Sequence, residues 1–252
     1  MQQDKEEQLL KKRLTELAGL CWQRDIQTHS GFLTLREQTV FHSIERELAP
    51  VRVRLAGGYP QAERKMVCFL ASYEEESAPL PIRVLSVVPA APRFAQPLTH
   101  RDYLGAVMNL GIERSCVGDI LAEENGCFIF CLEAMEEFLC RELTMVGRTP
   151  VVCTPAARPE QIAPRRQPVG GSVASVRLDN VIAMVFNLPR SRVAPYIEGE
   201  RAFIDGRLET SASARLSGGE VVSVRGLGKF QYLGEQKETK KGRLYVRAEK
   251  YL

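Results

Sequence analysis

The chain is poor in the residues that most enzymes depend on. It has three histidines, and no serine–histidine–acid or metal-ligand cluster is evident around them. Its seven cysteines, at positions 21, 68, 116, 127, 131, 140 and 153, form no CxxC pair. An odd number of thiols scattered through apolar stretches argues against a disulfide framework or a zinc site, and fits a reducing compartment. No apolar run approaches the ~20 residues that span a bilayer. The polar start, Met1-Gln2-Gln3-Asp4-Lys5-Glu6-Glu7, lacks the apolar core of a secretory signal, so a cytoplasmic location with no membrane partner is expected. The GxxxxGK[ST] spacing of a phosphate-cradling loop is missing too, and Gly57-Gly58 followed by Arg64-Lys65 reads as a turn and then solvated charges. No internal repeat is visible.

Net charge is also scarce, 34 Lys and Arg against 31 Asp and Glu, yet it is unevenly spread. Residues 173–252 hold 14 basic and 9 acidic side chains, a balance of +5, which leaves 20 against 22, or −2, for residues 1–172. Positive charge gathered at one end is the footprint of a module that binds a polyanion. The 44% hydrophobic and 26% charged content is that of a globular protein, and 252 residues suffice for two or three small cores.

Periodicity divides the chain. Leu10, Leu14, Leu17 and Cys21 repeat at helical spacing, and a second helix is expected over Leu35 to Leu48, stopping before Pro50. Val51, Val53 and Leu55 alternate with Arg52 and Arg54 as a strand, and Met66 to Tyr73 returns. These residues, 1–78, form an N-terminal α+β region. Over 79–156 the order is a strand (Ile82 to Val88), a helix (Leu104, Val107, Met108, ending near Gly111) and two strands (Asp119 to Leu121, Cys127 to Leu132) joined through Asn125-Gly126. A helix through Met135, Phe138, Leu139, Leu143 and Val146 and a strand over Val151 to Cys153 follow. That βαββαβ order is the ferredoxin-like, RRM-like plan of many RNA-binding domains and of many others. Residues 157–172, rich in Pro, Ala, Gly and Arg, read as a linker.

The remainder, 173–252, opens on Arg177-Leu178-Asp179 and the apolar stripe Leu178, Val181, Ile182, Val185 and Phe186. A short helix from Arg190-Ser191-Arg192 to about Ile197 contains Pro195, which shortens or bends it. Strands follow at Ala202 to Ile204 and Val221 to Val224, with turns at Asp205-Gly206 and Gly218-Gly219. This succession resembles the S-four domain, an RNA-binding module with an α-L motif, whose pattern runs RLD, helix, SR, glycine, strand, NG turn and G-D-x-I-x-V. Upstream, Phe32-Leu33-Thr34-Leu35-Arg36-Glu37-Gln38, Gly57-Gly58-Tyr59 with Ala62-Glu63-Arg64-Lys65, and His100-Arg101-Asp102-Tyr103-Leu104-Gly105 resemble the YlmH family. So do Leu110-Gly111-Ile112, Val117-Gly118-Asp119-Ile120-Leu121 and the tail Thr239-Lys240-Lys241-Gly242-Arg243.

The resemblance, in order over nearly the whole chain, implies an α+β protein. Its parts would be an N-terminal helical and hairpin region, a ferredoxin-like middle domain and a C-terminal S-four domain. It implies binding to RNA, namely rRNA and also tRNA, on the large ribosomal subunit, and a role in rescuing stalled nascent chains. It implies no cofactor, metal or small-molecule substrate. The chain departs from the pattern at Pro189, which replaces the serine that caps the second helix, and at Glu200, where a glycine is expected. Asp205 and Glu220 replace the usual Asn and Asp.

The RNA-binding candidates are Arg177, Arg190, Ser191, Arg192, Arg201, Arg225, Lys229, Lys240, Lys241 and Arg243. Arg190, Ser191 and Arg192 stand at a helix start, where free N–H groups and guanidinium forks both suit phosphate. Arg177 competes between phosphate and a carboxylate such as Asp179 or Glu198. Phe230, Tyr232 and Tyr245, interleaved with the later basic residues, either stack on bases or pack the last strands. His100 and Arg101 offer a second RNA surface; the HRD string lacks the other kinase elements, and Thr99-x-x-Asp102 is better explained as a capping box. Two other readings stay open: an RNA-modifying, pseudouridine-synthase-like enzyme, and an adaptor linking ribosomes to cell-division factors. Against the first, Arg177-Leu178-Asp179 continues as helix rather than as a catalytic loop.

Overall fold

The computed structural model describes residues 2–60, 62–94, 96–156, 162, 164–238 and 242–251. The chain is mixed α and β, and forms two compact units, Met1–Ala163 and Pro164–Leu252.

In the first unit, α1 (Gln2–Arg24) and α2 (Leu35–Ile44) cover an antiparallel sheet of β1 (Thr28–His29), β2 (Arg52–Ala56) and β3 (Met66–Leu70), in the order β1-β3-β2. β3 is central and every residue on it is buried. Leu14, Leu17, Ala18 and Cys21 of α1 meet Phe41 and Ile44 of α2 over Val67 and Phe69. A reciprocal capping box starts α2: Thr34 N–H donates to Glu37 Oε2 (2.6 Å), and Glu37 N–H donates to Thr34 Oγ1 (3.4 Å). The helix expected to reach Leu48 tightens into a 3-10 turn at Glu45–Glu47 ahead of Pro50.

The same unit holds a five-stranded antiparallel sheet. Its elements are β4 (Ile82–Pro89), α3 (His100–Asn109), β5 (Val117–Glu123), β6 (Gly126–Leu132), α4 (Glu136–Glu142), β7 (Met145–Val146) and β8 (Thr149–Pro155), with strand order β5-β6-β4-β8-β7. Leu85, Val87, Cys127, Ile129 and Cys131 face Tyr103, Val107 and Leu139 of the two helices. Asp102 Oδ2 accepts from the N–H and the hydroxyl of Thr99, both at 2.7 Å, and fixes the start of α3. Two expectations shift. Glu123 pairs with Gly126, so the hairpin turns on Glu124 and Asn125, one residue early. Helix α4 stops at Glu142, and Val146 pairs with Thr149 in a short hairpin.

Arg64, expected as a solvated charge, joins the two sheets of this unit. Its Nη2 donates to the carbonyls of Phe32 (2.7 Å) and Arg114 (3.1 Å), and its Nε to that of Val117 (3.0 Å). Asp119 accepts from Tyr59 Oη (2.6 Å), Glu63 N–H (2.7 Å) and Arg64 N–H (3.0 Å). Tyr59 packs on Phe130, with ring centroids 5.0 Å apart, and Gly58 at φ +93° approaches the same ring so closely that a Cβ would lie 2.4 Å from it.

In the second unit, a six-stranded antiparallel sheet runs β11-β10-β12-β13-β14-β9. Its strands are β9 (Arg166–Val173), β10 (Ala202–Ile204), β11 (Arg207–Leu208), β12 (Val221–Val224), β13 (Gly228–Glu238) and β14 (Leu244–Tyr251). One face is covered by α5 (Leu178–Val185) and α6 (Arg190–Glu198). The linker reading of 157–172 is corrected in its second part: residues 166–173 pair along their length with β14 as an edge strand, while residues 157–161 and 163 lie outside the described residues. Pro168 fits such an edge, where one row of N–H groups has no ladder partner to lose. The stripe read from α5 is buried as expected at Leu178, Val181, Ile182 and Val185, against Val222, Val224, Phe230, Tyr232, Val246 and Ala248. Asp205 (φ +48°) and Gly206 (φ +81°) form the tight turn between β10 and β11, and Asp205 Oδ1 accepts from Val221 N–H at 2.9 Å.

Candidate nucleic-acid interface

The sequence Arg177-Leu178-Asp179 builds the centre of the basic region because of the helix that follows it. Burial of Leu178, Val181 and Ile182 fixes the rotation of α5, and that rotation carries Asp179 inward, leaving its side chain 8% exposed. A carboxylate taken from water needs cationic partners. Asp179 has two: Arg177 donates through Nε to Oδ1 (3.2 Å) and through Nη2 to Oδ2 (3.1 Å), and Arg190 Nη2 donates to Oδ2 (2.6 Å). Asn180 N–H adds a bond to Oδ1 at 2.8 Å. Burial alone would raise the Asp179 pKa, but the hydrogen bonds and charges of Arg177 and Arg190 outweigh it and hold the carboxyl below its ordinary value.

The arginines themselves stay in water, Arg177 41% and Arg190 58% exposed. Asp179 thus acts as a buried anchor for two guanidinium groups, each with N–H donors left to turn outward. Arg190 opens α6, and Ser191 and Arg192 follow it, both exposed. No side chain caps this helix, since Pro189 stands at the cap position. Arg192 N–H is taken by Pro189 O at 2.9 Å, and the dipole and the guanidinium forks favour an anion at this end.

Of the carboxylates open to Arg177, Asp179 is the one its guanidinium meets. The structure brings Arg177, Arg190, Ser191 and Arg192 together through Asp179 and the first turn of α6. Arg201 and Arg225 form a separate pair: Arg225 N–H donates to Arg201 O (2.9 Å), while their guanidinium groups lie over Tyr196 (5.9 Å) and Phe203 (5.1 Å). Lys229 lies over Tyr251, 4.6 Å from the ring centroid, on the sheet face opposite α5 and α6. Arg243 Nη2 donates to Ser172 O at 2.8 Å. Lys240 and Lys241 lie outside the described residues. Of the interleaved aromatics, Phe230 and Tyr232 are core residues, and Tyr245 is half-buried on the opposite face.

His100 and Arg101 are in the other unit, at the start of α3. Arg101 is exposed. Partial burial of the His100 ring, and then the charge of Arg114, lower its pKa below the ordinary histidine value. Arg114, pushed down to about 10 by burial and by the neighbouring Arg64, stays protonated, but it donates to the carbonyls of Val117 and Gly118. Among the described residues no group of three or more His, Cys, Asp or Glu is disposed to hold a metal ion. None of the described helices is long and apolar enough to cross a membrane.

Comparison with known proteins adds three findings. Residues 82–158 match the family model described as "Putative RNA-binding domain in YlmH". The chain is 25% identical over 240 residues to the ribosome-associated protein quality control protein P2 of Bacillus subtilis (strain 168), covering 92% of each chain. The solved structure of cell division protein ylmH from Streptococcus pneumoniae overlays with a TM-score of 0.49 and 21% identity, over 63% of this chain and 95% of that one.

Proposed function

We propose, from the match of residues 82–158 to the putative RNA-binding domain in YlmH, that this protein is a non-catalytic, cytoplasmic RNA-binding protein of the ribosome. In this reading it docks on structured rRNA of the large subunit, with tRNA as a further RNA. It serves the quality control of stalled nascent chains; its Bacillus subtilis relative is named a ribosome-associated protein quality control protein. Residues 79–156 act as a ferredoxin-like, RRM-like domain, and residues 173–252 as an S-four domain, with β9 completing its sheet.

The observation that carries the reading is the pair of exposed arginines held on one buried carboxylate. Fixing two guanidinium groups before the ligand arrives lowers the entropy lost on binding phosphate. Recognition is then mainly of RNA shape, with Arg177, Arg190 and Arg192 on phosphates. Arg201 and Arg225, Lys229 and Arg243, and the lysines at 240 and 241, are further candidates for phosphate contact, and His100 and Arg101 for a second RNA surface.

Sedimenting the protein separately with large and small ribosomal subunits tests the reading. Salt-sensitive association with large subunits that Arg190→Ala/Arg192→Ala loses supports it. Association with neither subunit at low salt overturns it.

One observation favours a second reading, an adaptor to other proteins such as cell-division factors. Trp22 is 60% and Tyr73 72% exposed. Asp25, which accepts from Ser72 N–H (2.6 Å) and its hydroxyl (2.8 Å), ties the segments that carry these two rings together. Aromatic rings are enriched at protein contact surfaces. A Trp22→Ser/Tyr73→Ser variant that still sediments with subunits but loses a copurifying protein would support the adaptor role; retention of every copurifying protein would remove it.

A further inference from the structure

The C-terminal sheet has a face that α5 and α6 do not cover, and one end of it is both basic and open. Register fixes the arrangement. Tyr245 of β14 stands opposite Ser172 of β9 and Lys237 of β13, while Arg247 stands opposite Gly170 and Gly234. These positions alternate with Val246 and Ala248, which are core, so their side chains lie on the helix-free face.

The Tyr245 ring lies across Gly170. A Cβ at 170 would sit 2.7 Å from the phenolic oxygen and 3.5 Å from Cε1, so the missing side chain is what lets the ring rest against the strand. Lys237 Nζ is 5.9 Å from the ring centroid, and Lys237 and Arg247 are exposed. Arg243, also exposed, reaches Ser172 O, directly across from Tyr245.

The carboxylates of these three strands do not offset that charge. Glu235 and Glu238 pair with Val246 and Leu244, so they lie on the other face. Glu249 is engaged by Arg166 at 2.9 Å. A flat aromatic ring with Lys237 Nζ 5.9 Å from its centroid, with Arg243 and Arg247 exposed at neighbouring positions and with the strand acids turned away or already paired, is complementary to a polyanion that offers an exposed π-face. Single-stranded RNA is such a ligand, whereas a duplex hides its base faces in the stack.

We propose that this end of the helix-free face is a second RNA-binding surface, on which one base of single-stranded RNA stacks on Tyr245 while Lys237, Arg243 and Arg247 take the flanking phosphates. The proposal rests on the RNA-binding reading above and adds a ligand class and a site separate from Asp179 and its arginines.

The test is fluorescence anisotropy of the full chain with labelled single-stranded oligouridylate and oligoadenylate across a salt series. Tyr245→Ala should weaken binding about tenfold, whereas Tyr245→Phe, which keeps the ring, should bind as the parent does. Lys237→Ala/Arg247→Ala should lower the salt slope by about 1.4, at about 0.7 per single-strand phosphate. The Arg190→Ala/Arg192→Ala variant should keep the Tyr245-dependent part of oligonucleotide binding. No oligonucleotide binding by the parent protein, or equal affinity and slope in the Tyr245→Ala and Lys237→Ala/Arg247→Ala variants, would overturn the proposal. Because subunit sedimentation is scored separately on the Arg190→Ala/Arg192→Ala variant, failure of this surface and failure of the ribosomal reading give different results.

Discussion

Arg190 reaches back across eleven residues of sequence to Asp179, its Nη2 2.6 Å from Oδ2. This contact links the start of α6 to the first turn of α5. It is also where the stability of the C-terminal unit and its proposed RNA contact share the same atoms. Removing the carboxylate should therefore be felt in both.

Asp179→Asn keeps the shape of the side chain and removes its charge. The cost should be about 1–2 kcal/mol once the exposure of both arginines is allowed for. RNA affinity should fall as well, because Arg177 and Arg190 lose their anchor. The pH dependence has a definite sign. The folded pKa lies below the ordinary value, so the stabilisation is fully present above about pH 4 and drains away as pH falls further, through the folded pKa. Urea unfolding of parent and variant from pH 7 to pH 3 should show a stability gap that is constant down to about pH 4 and then closes. A gap that does not change over this range would remove the charge argument.

Glu200 adopts φ +56°, a left-handed conformation that L side chains resist, at the position where the S-four pattern has glycine. Glu200→Gly should raise stability by about 0.5–1 kcal/mol. Thermal unfolding checks this. An unchanged or lower midpoint would mean that Glu200 makes interactions worth at least the backbone strain.

Asp119 accepts three hydrogen bonds from the 59–64 segment and so holds the N-terminal sheet to the middle one. Asp119→Ala leaves Tyr59 Oη and two backbone N–H groups without their acceptor, and should cost about 2–3 kcal/mol. Gly57→Ala should be at least as damaging, since a Cβ there would lie 2.3 Å from both Arg64 O and Ala62 Cβ. Hydrogen exchange in Asp119→Ala should rise at Glu63 and Arg64 before it rises on β3. Uniform exchange across both would show that the latch is not a local unit.

Much of this architecture is legible in the sequence where one periodicity dominates. The α5 stripe, the strand from Ile82 and the Asp205-Gly206 turn are examples, because each depends on neighbours a few residues away. Strand β9 was not legible. Its Pro, Gly and Arg content matches a linker, and only the partner strand β14, nearly eighty residues on, gives it a ladder. Arg64 misleads in the same way: its charge reads as solvated until the carbonyls of Phe32, Arg114 and Val117 are brought around it. In the candidate site, Arg177, Arg190 and Arg192 are candidates through their residue types together with the S-four resemblance. That two of them converge on Asp179 depends on the rotation of α5. That Glu235 shares a face with Val246 while Lys237 joins Tyr245 depends on two register shifts along β13 that no composition signals.

The most direct measurement is the affinity of the full chain for purified large ribosomal subunits at several salt concentrations, beside Arg190→Ala/Arg192→Ala. The account expects a steep salt dependence for the parent protein and a slope shallower by about 1.4–1.8 in the variant, for two lost phosphate contacts. The variant, which leaves Asp179 with one guanidinium group instead of two, should melt about 4–8 °C lower, for about 1 kcal/mol, and still be folded at the assay temperature. A folded variant with the parent's slope and affinity would contradict the central claim, that the arginines gathered at Asp179 and α6 are the contact with RNA.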